Sequence, residues 1–383
     1  MMKALLRAEF ESQFDGEPLL FFAPGRINLI GEHTDYQEGF VFPAAVEQGI
    51  YIGIQRNEIA HCRLFSIDFQ ESYTFDPTSF SPKKGHWSTY VMGMVSQLQQ
   101  AGFSLGAFDM VIGGNIPVGA GLSSSAALSV AVGTAISHLF NLSVDKKSLA
   151  RYSQKSEQLF AGLKCGIMDP YASIFGEKGH ALLLDCRSNT HQSISLTLTN
   201  HQLLLVNTKV KHSLADTAYN DRRAACEDSV RILEKDYLGI KTLRDIPFSQ
   251  LDRVKKLLPA KLWPKAKHII TENQRVLDAK VAIERGNLEA LGQHMYLSHQ
   301  SLREDYEVSC EELDFLVNTA KTMDGVLGAR MMGGGFGGCT LNLVETSHLP
   351  DFESKIRESY LNRFQLSPEF IPVELSAGAK GVS

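Results

Sequence analysis

The chain has 383 residues, 44% hydrophobic and 21% charged, a balance suited to a globular protein of two domains or one large one. Lysine plus arginine number 38 against 43 aspartate plus glutamate, a net charge of −5. No basic field is available to hold a nucleic-acid backbone, so a phosphate-bearing ligand must rely on local cations or backbone amides.

The first ten residues, Met1 to Phe10, read as a short amphipathic helix and not as a signal peptide. No apolar run approaches the roughly 18 residues of a membrane span. The six cysteines (62, 165, 186, 226, 310 and 339) are scattered, with no C-x-x-C pair. That argues against a zinc site or a dense disulfide framework and for a reducing compartment, so a cytoplasmic protein is expected.

Residues 19 to 30 predict strand, turn, strand, and Gly49 to Ile54 a further strand. Phe108 to Gly113 is a short strand running into a glycine-rich turn. A small-residue helix follows over about Ser124 to Phe140, ended by Asn141 and Ser143. Asp145 can cap the next helix, to about Ala161. Ala181 to Leu184 and Gln202 to Val206 are strands. Beyond about 210, charged helical stretches dominate at 213 to 235 and about 265 to 290, and strand and glycine signals return at 325 to 344. A domain boundary is expected near 190 to 205. No Gly/Pro linker lies there, so the two domains, 1–195 and 196–383, should pack closely.

The segment 117 to 126, Pro-Val-Gly-Ala-Gly-Leu-Ser-Ser-Ser-Ala, is the most informative. Two glycines allow the backbone to approach a ligand. The serines then open a helix whose first amides lack internal partners and attract an anion. It is not a Walker A loop, because no lysine follows the second glycine. The bland reading is a glycine turn into a Ser-capped structural helix. In Pro24 to Tyr36, Arg26 and Asn28 share one strand face, and Glu32, His33 and Asp35 follow Gly31. Carboxylates and an imidazole so gathered suit a sugar's hydroxyls, although a solvated surface turn would look similar.

Asp169 stands in an apolar stretch, Cys165 to Pro170, where a buried carboxylate needs a cation or a task. It could also cap a helix behind Pro170, and Glu157, twelve residues earlier, could lie on a solvated face. Five glycines in six residues, 333 to 338, make sense where backbone must come close to backbone or ligand.

Segments 24–36, 117–126 and 333–338 stand in the order of the three motifs of the galactose, homoserine, mevalonate and phosphomevalonate (GHMP) kinase superfamily. The chain resembles it over essentially its whole length. Within it the chain looks like a galactokinase. Gly25 to Tyr36 is similar to the galactokinase signature, and the stretches Ser298 to Cys310 and Tyr219 to Arg223 match that family and not its relatives.

The resemblance implies an α/β (α+β) two-domain fold, ribosomal-protein-S5-like then ferredoxin-like, with the active site in the cleft between. It implies transfer of the γ-phosphoryl group of ATP to the anomeric hydroxyl of galactose, the first committed step of galactose catabolism, with Mg²⁺. Asp169 would be the catalytic aspartate and Arg26 the cation beside it. Glu32, His33, Thr34, Asp35, Gly166 and Tyr219 would meet the sugar. Gly119, Ala120, Gly121, Leu122, Ser123, Ser124 and Ser125 would hold the triphosphate, with Ser125 and Glu157 on the metal. The 333–338 run would line the cleft and brace the phosphate loop. Galactose and ATP are the expected partners of a monomer, with no nucleic acid and no membrane. The chain departs from the family pattern at Pro170, where glutamine is usual, and at Met92, where arginine is common. The competing expectations are a superfamily kinase acting on another small molecule and a catalytically silent galactose and ATP sensor.

Overall fold

A computed structural model describes residues 2–117, 119–211 and 215–382. Val118 of the glycine-rich segment and the start of the helix expected from 213 lie outside the described residues.

The first half contains α1 (Met2–Gln13), β1 (Leu19–Asn28), β2 (Phe40–Val41), β3 (Pro43–Arg56), β4 (Cys62–Ser66) and β5 (Glu71–Phe75). Next come α2 (Ser88–Gln100), β6 (Phe108–Gly114), α3 (Ser124–Leu139), α4 (Lys146–Ser156), α5 (Met168–Phe175), β7 (His180–Asp185) and β8 (Thr190–Ser195). The second half runs β9 (His201–Lys211), α6 (Ala215–Leu233), α7 (Leu251–Leu257), α8 (Trp263–Glu284), α9 (Leu288–Ser301), α10 (Glu311–Lys321), β10 (Val326–Met331) and β11 (Gly337–Glu345). It closes with α11 (Leu349–Phe364), β12 (Glu369–Pro372) and β13 (Lys380–Gly381). Among the described residues no helix is long and apolar enough to cross a membrane.

Among the described residues three sheets form, in the orders β13-β1-β3-β6-β4-β5, β10-β11-β9-β12 and β2-β7-β8. The largest is antiparallel except where β4 runs parallel to β6. Helix α3 packs on β1 and β3 and is apolar almost all round, as a buried helix must be. Gly133 lets its neighbours in: a Cβ there would meet Met94 Cε at 2.5 Å. In β9, Leu204 and Val206 face Leu316, Phe352 and Tyr360, while Leu203 and Leu205 lie on the other side of the sheet beside their β11 partners Leu343 and Leu341. The strand is buried on both sides with a period of two.

The expected strand-turn-strand at 19 to 30 is one strand, β1, with an irregularity between Pro24 and Arg26. The glycine there serves close approach instead of a turn, since a Cβ on Gly25 would lie 2.6 Å from the Leu122 carbonyl oxygen. Asp145 caps α4 by accepting from the Ser148 amide, as expected. The α-helix stops at Ser156, however, and Glu157–Ala161 is a π-helical turn. Met92 is fully buried in the apolar core. Pro170 sits in the first turn of α5, where its missing N–H leaves no helical bond unmade.

We propose 1–195 and 196–383 as the two domains. One apolar cluster joins them, with Ile27, Leu29 and Phe42 packed among Leu205, Val276, Met332 and Leu341. The chain end also returns to the first sheet, where β13 pairs with β1.

Candidate functional site

A cavity of about 370 Å³ is lined by the turn after β1, the glycine-rich loop before α3, the start of α5, Tyr219 of α6 and the glycine run before β11. Arg26, Glu32, His33, Asp35, Gly119 to Ser125, Gly166, Asp169, Tyr219 and Gly333 to Gly338 all line it.

Arg26 and Asp169 form the centre. Arg26 Nε lies 2.8 Å from Asp169 Oδ1 and Nη2 3.1 Å from Oδ2, a bidentate pair. Nη1 donates to the Gly121 carbonyl at 2.6 Å, and the Arg26 amide donates to the Leu122 carbonyl at 3.1 Å. One buried guanidinium thus joins the aspartate to the glycine-rich loop. Burial disfavours its charge, but the charges of Asp169 and then Glu32 outweigh that and hold it firmly cationic. Asp169 does not cap α5. It lies inside the first turn, and the residue at the cap position is Ile167.

The loop is built on left-handed residues: Gly119 (φ 76°), Gly121 (φ 68°) and the non-glycine Ser123 (φ 57°). Ser123 makes no cap bond to α3, and its hydroxyl donates to Asp169 Oδ2 instead. A strained residue aimed at the site's central carboxylate is the kind of conformation stored at functional positions. The first helical bond of α3 runs from Ala127 N–H to the Ser123 carbonyl, so the amides of 124 to 126 precede it.

The glycine run braces this loop, as expected. A Cβ on Gly338 would sit 3.4 Å from the Gly119 carbonyl oxygen and one on Gly333 3.6 Å from that of Gly121. Gly335 (φ 83°) has no room at all, since its Cβ would fall 2.1 Å from the Val308 carbonyl oxygen.

Around the other end, Glu32 Oε1 accepts from the Gly333 amide at 2.8 Å and lies 3.3 Å from Arg330 Nη1. Asp35 accepts from the Tyr36 amide at 2.9 Å. It presses on Gly166, where a Cβ would meet Asp35 Oδ2 at 1.9 Å. Burial first, then the charge of Asp169, pushes the Asp35 carboxyl up to about 7. His33 (φ 64°) has both ring nitrogens engaged, by Tyr36 and Gly334, and its ring stands 5.1 Å from that of Tyr219.

Two expected residues are not on the cavity wall. Thr34 is fully buried, with Oγ1 2.9 Å from the Gly31 carbonyl oxygen and 2.6 Å from that of Phe40. It holds the turn and does not line the cavity. Glu157 lies one layer behind, buried at the start of the π-helical turn. It receives the Ser125 hydroxyl, and the Cys165 thiol lies 3.6 Å from Oε2. Burial pushes its carboxyl up to about 7.

Several supporting residues were not singled out from the sequence. Arg330, fully buried in β10, donates to the Asn28 carbonyl at 2.9 Å as well as approaching Glu32. Glu272 of α8 accepts from the Gly31 amide at 3.0 Å, from Ser298 at 2.5 Å and from Arg275 at 2.6 Å. Although burial opposes it, Arg275 and its neighbours hold Glu272 down to about 2. Arg330 carries one legible signal, a charge inside the apolar run Leu327 to Met332, whereas Glu272 stands in the polar stretch Thr271 to Arg275 and carries none. The two family-like stretches also meet: Arg222 donates to the carbonyls of Tyr306 at 2.6 Å and Glu307 at 2.9 Å.

Known proteins are similar to this chain in sequence and fold. The family model for the galactokinase galactose-binding signature matches residues 8–56, that for the GHMP kinase N-terminal domain 89–177, and that for the GHMP kinase C-terminal domain 279–362. A galactokinase of Chloroflexus aurantiacus is 41% identical, over 99% of this chain and 96% of the relative. The crystal structure of Lactococcus lactis galactokinase complexed with galactose has a TM-score of 0.96 at 34% identity, over 100% of both chains. Methanococcus jannaschii mevalonate kinase shares the fold alone, with a TM-score of 0.64 at 19% identity over 94% of this chain and 99% of that one. With a two-domain GHMP kinase fold and a match of this extent, the chain belongs to the galactokinase family of ATP-dependent sugar kinases.

Proposed function

We propose that the protein transfers the γ-phosphoryl group of ATP to the anomeric hydroxyl of galactose, in the cavity between β1 and α3. The observation that carries this is the Arg26 clamp, which grips both oxygens of Asp169 and the Gly121 carbonyl of the loop at once. Phosphoryl transfer needs positioning and charge neutralisation more than covalent help, and this clamp supplies both.

In this reading the sugar lies against Glu32, Asp35, Gly166 and Tyr219, and its anomeric hydroxyl donates to Asp169. Arg26 and Ser123 hold that carboxylate in one orientation. Amides of the glycine-rich loop and the start of α3 hold the phosphates. Arg26 is also placed to offset charge building on the transferring group.

Use of ATP by this family implies a divalent cation, and we assign Mg²⁺. The residues fit it. Glu157 is a buried carboxylate that no ion pair reaches among the described residues, and its contacts are a hydroxyl and a thiol. Among those residues no cluster of three His, Cys, Asp or Glu side chains could hold a metal alone. That suits Mg²⁺, which takes one or two carboxylates and completes its shell with phosphates and water. Ser125 and Glu157 would hold it, and when bound it neutralises phosphate charge. The six cysteines are unbridged, which suits our placing the enzyme in the cytoplasm.

ADP release with ATP and Mg²⁺ tests the reading on galactose, glucose, N-acetylgalactosamine, arabinose and mevalonate. Fast turnover on galactose alone is expected. Turnover on another compound would move the substrate, and galactose binding without turnover on any would make the protein a sensor.

A further inference from the structure

Five groups beside the cavity fix the place of each proton among them. His33 Nε2 lies 3.2 Å from the Gly334 carbonyl oxygen. A carbonyl only accepts, so Nε2 carries the proton. Nδ1 of the neutral ring is then bare and accepts from the Tyr36 hydroxyl at 2.8 Å. Tyr36 has thereby committed its one proton, so at 2.6 Å it must receive that of Tyr306. Tyr306 in turn receives the Cys226 thiol proton, with Sγ 3.2 Å away. The order runs one way: Cys226, Tyr306, Tyr36, His33, Gly334.

The groups come from α6, from the turn after α9, from the sugar turn and from the glycine run, so the line crosses the molecule's two halves. Tyr306 and Cys226 are fully buried, and the His33 ring packs at 4.9 Å from that of Tyr306. Burial, followed by the nearby His268, pushes His33 down to about 3, which keeps the ring neutral. Next to it, Glu32 accepts from Gly333. Consecutive residues of the sugar turn therefore grip consecutive residues of the glycine run.

We propose that this line is a one-way hydrogen-bonded strut that fixes His33 as its Nε2–H tautomer and registers the glycine run against the sugar turn, with Tyr36 and Tyr306 as positioning residues. Its effect on turnover rests on the kinase reading, whereas its existence does not.

Nitrogen-15 NMR of the ligand-free protein at about pH 7, with labelled histidine and His33→Gln to identify the signals, tests the strut directly. The expected spectrum shows a protonated Nε2 and a bare, hydrogen-bonded Nδ1. In Tyr36→Phe, Nδ1 should shift toward a free bare nitrogen while Nε2 stays protonated. A ring protonated on Nδ1, an averaged pair of tautomers, or an unmoved Nδ1 in Tyr36→Phe overturns the proposal. Tyr306→Phe keeps the ring packing and removes the hydroxyl that donates to Tyr36 and accepts from Cys226. It should raise the sugar KM roughly 5- to 150-fold, the range for a buried polar group left unpaired, with the ATP KM within about twofold. Equal changes in both, or in neither, remove the positioning role. A parent protein inactive on sugars would refute the kinase reading and leave the NMR result standing.

Discussion

Gly166 has no side chain because Asp35 occupies the space where one would go, 1.9 Å from the Cβ position. Gly166→Ala must displace that carboxylate. A charged hydrogen-bond acceptor is worth about 1.5–3 kcal/mol, so galactose affinity should fall roughly ten- to hundredfold by calorimetry, with nucleotide affinity preserved. Glu157 leads to a pH prediction. Its carboxyl is held near 7 in the fold, against 4.5 when free, chiefly by burial. The folded chain therefore binds this proton where the unfolded chain has released it. The stability it confers is full at low pH and is lost as pH rises through about 7. Glu157→Gln, which cannot titrate, should gain on the parent between about pH 5 and pH 8 in thermal unfolding of the ligand-free protein. At ~1.4 kcal/mol for each pH unit between the two values, the divergence reaches a few kcal/mol. Parallel profiles would show that Glu157 is not buried as described.

At the scale of elements, the glycine run and the glycine-rich loop before α3 differ in what their glycines do. Gly335 combines φ 83° with a Cβ position 2.1 Å from the Val308 carbonyl oxygen, whereas Gly119, at φ 76°, has open space around it. Gly335→Ala should cost the left-handed strain, about 1–2 kcal/mol, plus the clash, and lower the melting temperature clearly. Gly119→Ala should cost the strain alone and act mainly on ATP affinity. Equal losses in the two variants would contradict the geometry. The loop and its helix were legible because glycines and serines declare their backbone demands locally. The π-helical turn at Glu157 was not, since its residues read as a continuation of α4. The single strand through Pro24 and Gly25 was likewise hidden, because the reason for that glycine is the Leu122 carbonyl, distant in sequence.

At the scale of the whole molecule, one apolar cluster draws on both halves and the last strand returns to β1. Each half has apolar clusters of its own, but the shared cluster couples them, so calorimetry should show one cooperative transition, with van't Hoff and calorimetric enthalpies agreeing. Two separable transitions would mean that the shared cluster contributes little. The motif residues were readable because three segments pointed to one chemistry. The inner layer that holds them was not: Glu272 reaches Gly31, and Arg330 reaches Asn28, only through tertiary packing. Thr34 shows the converse, a residue within the motif whose hydroxyl serves the turn. The central claim is that Asp169, clamped by Arg26, works on the sugar's hydroxyl. The most direct test is galactose-dependent ADP release by Asp169→Asn, with galactose binding measured alongside. A positioned base contributes about 10²- to 10⁴-fold, so turnover should fall by that much in a folded protein that still binds the sugar. Near-normal turnover in that variant would contradict the account.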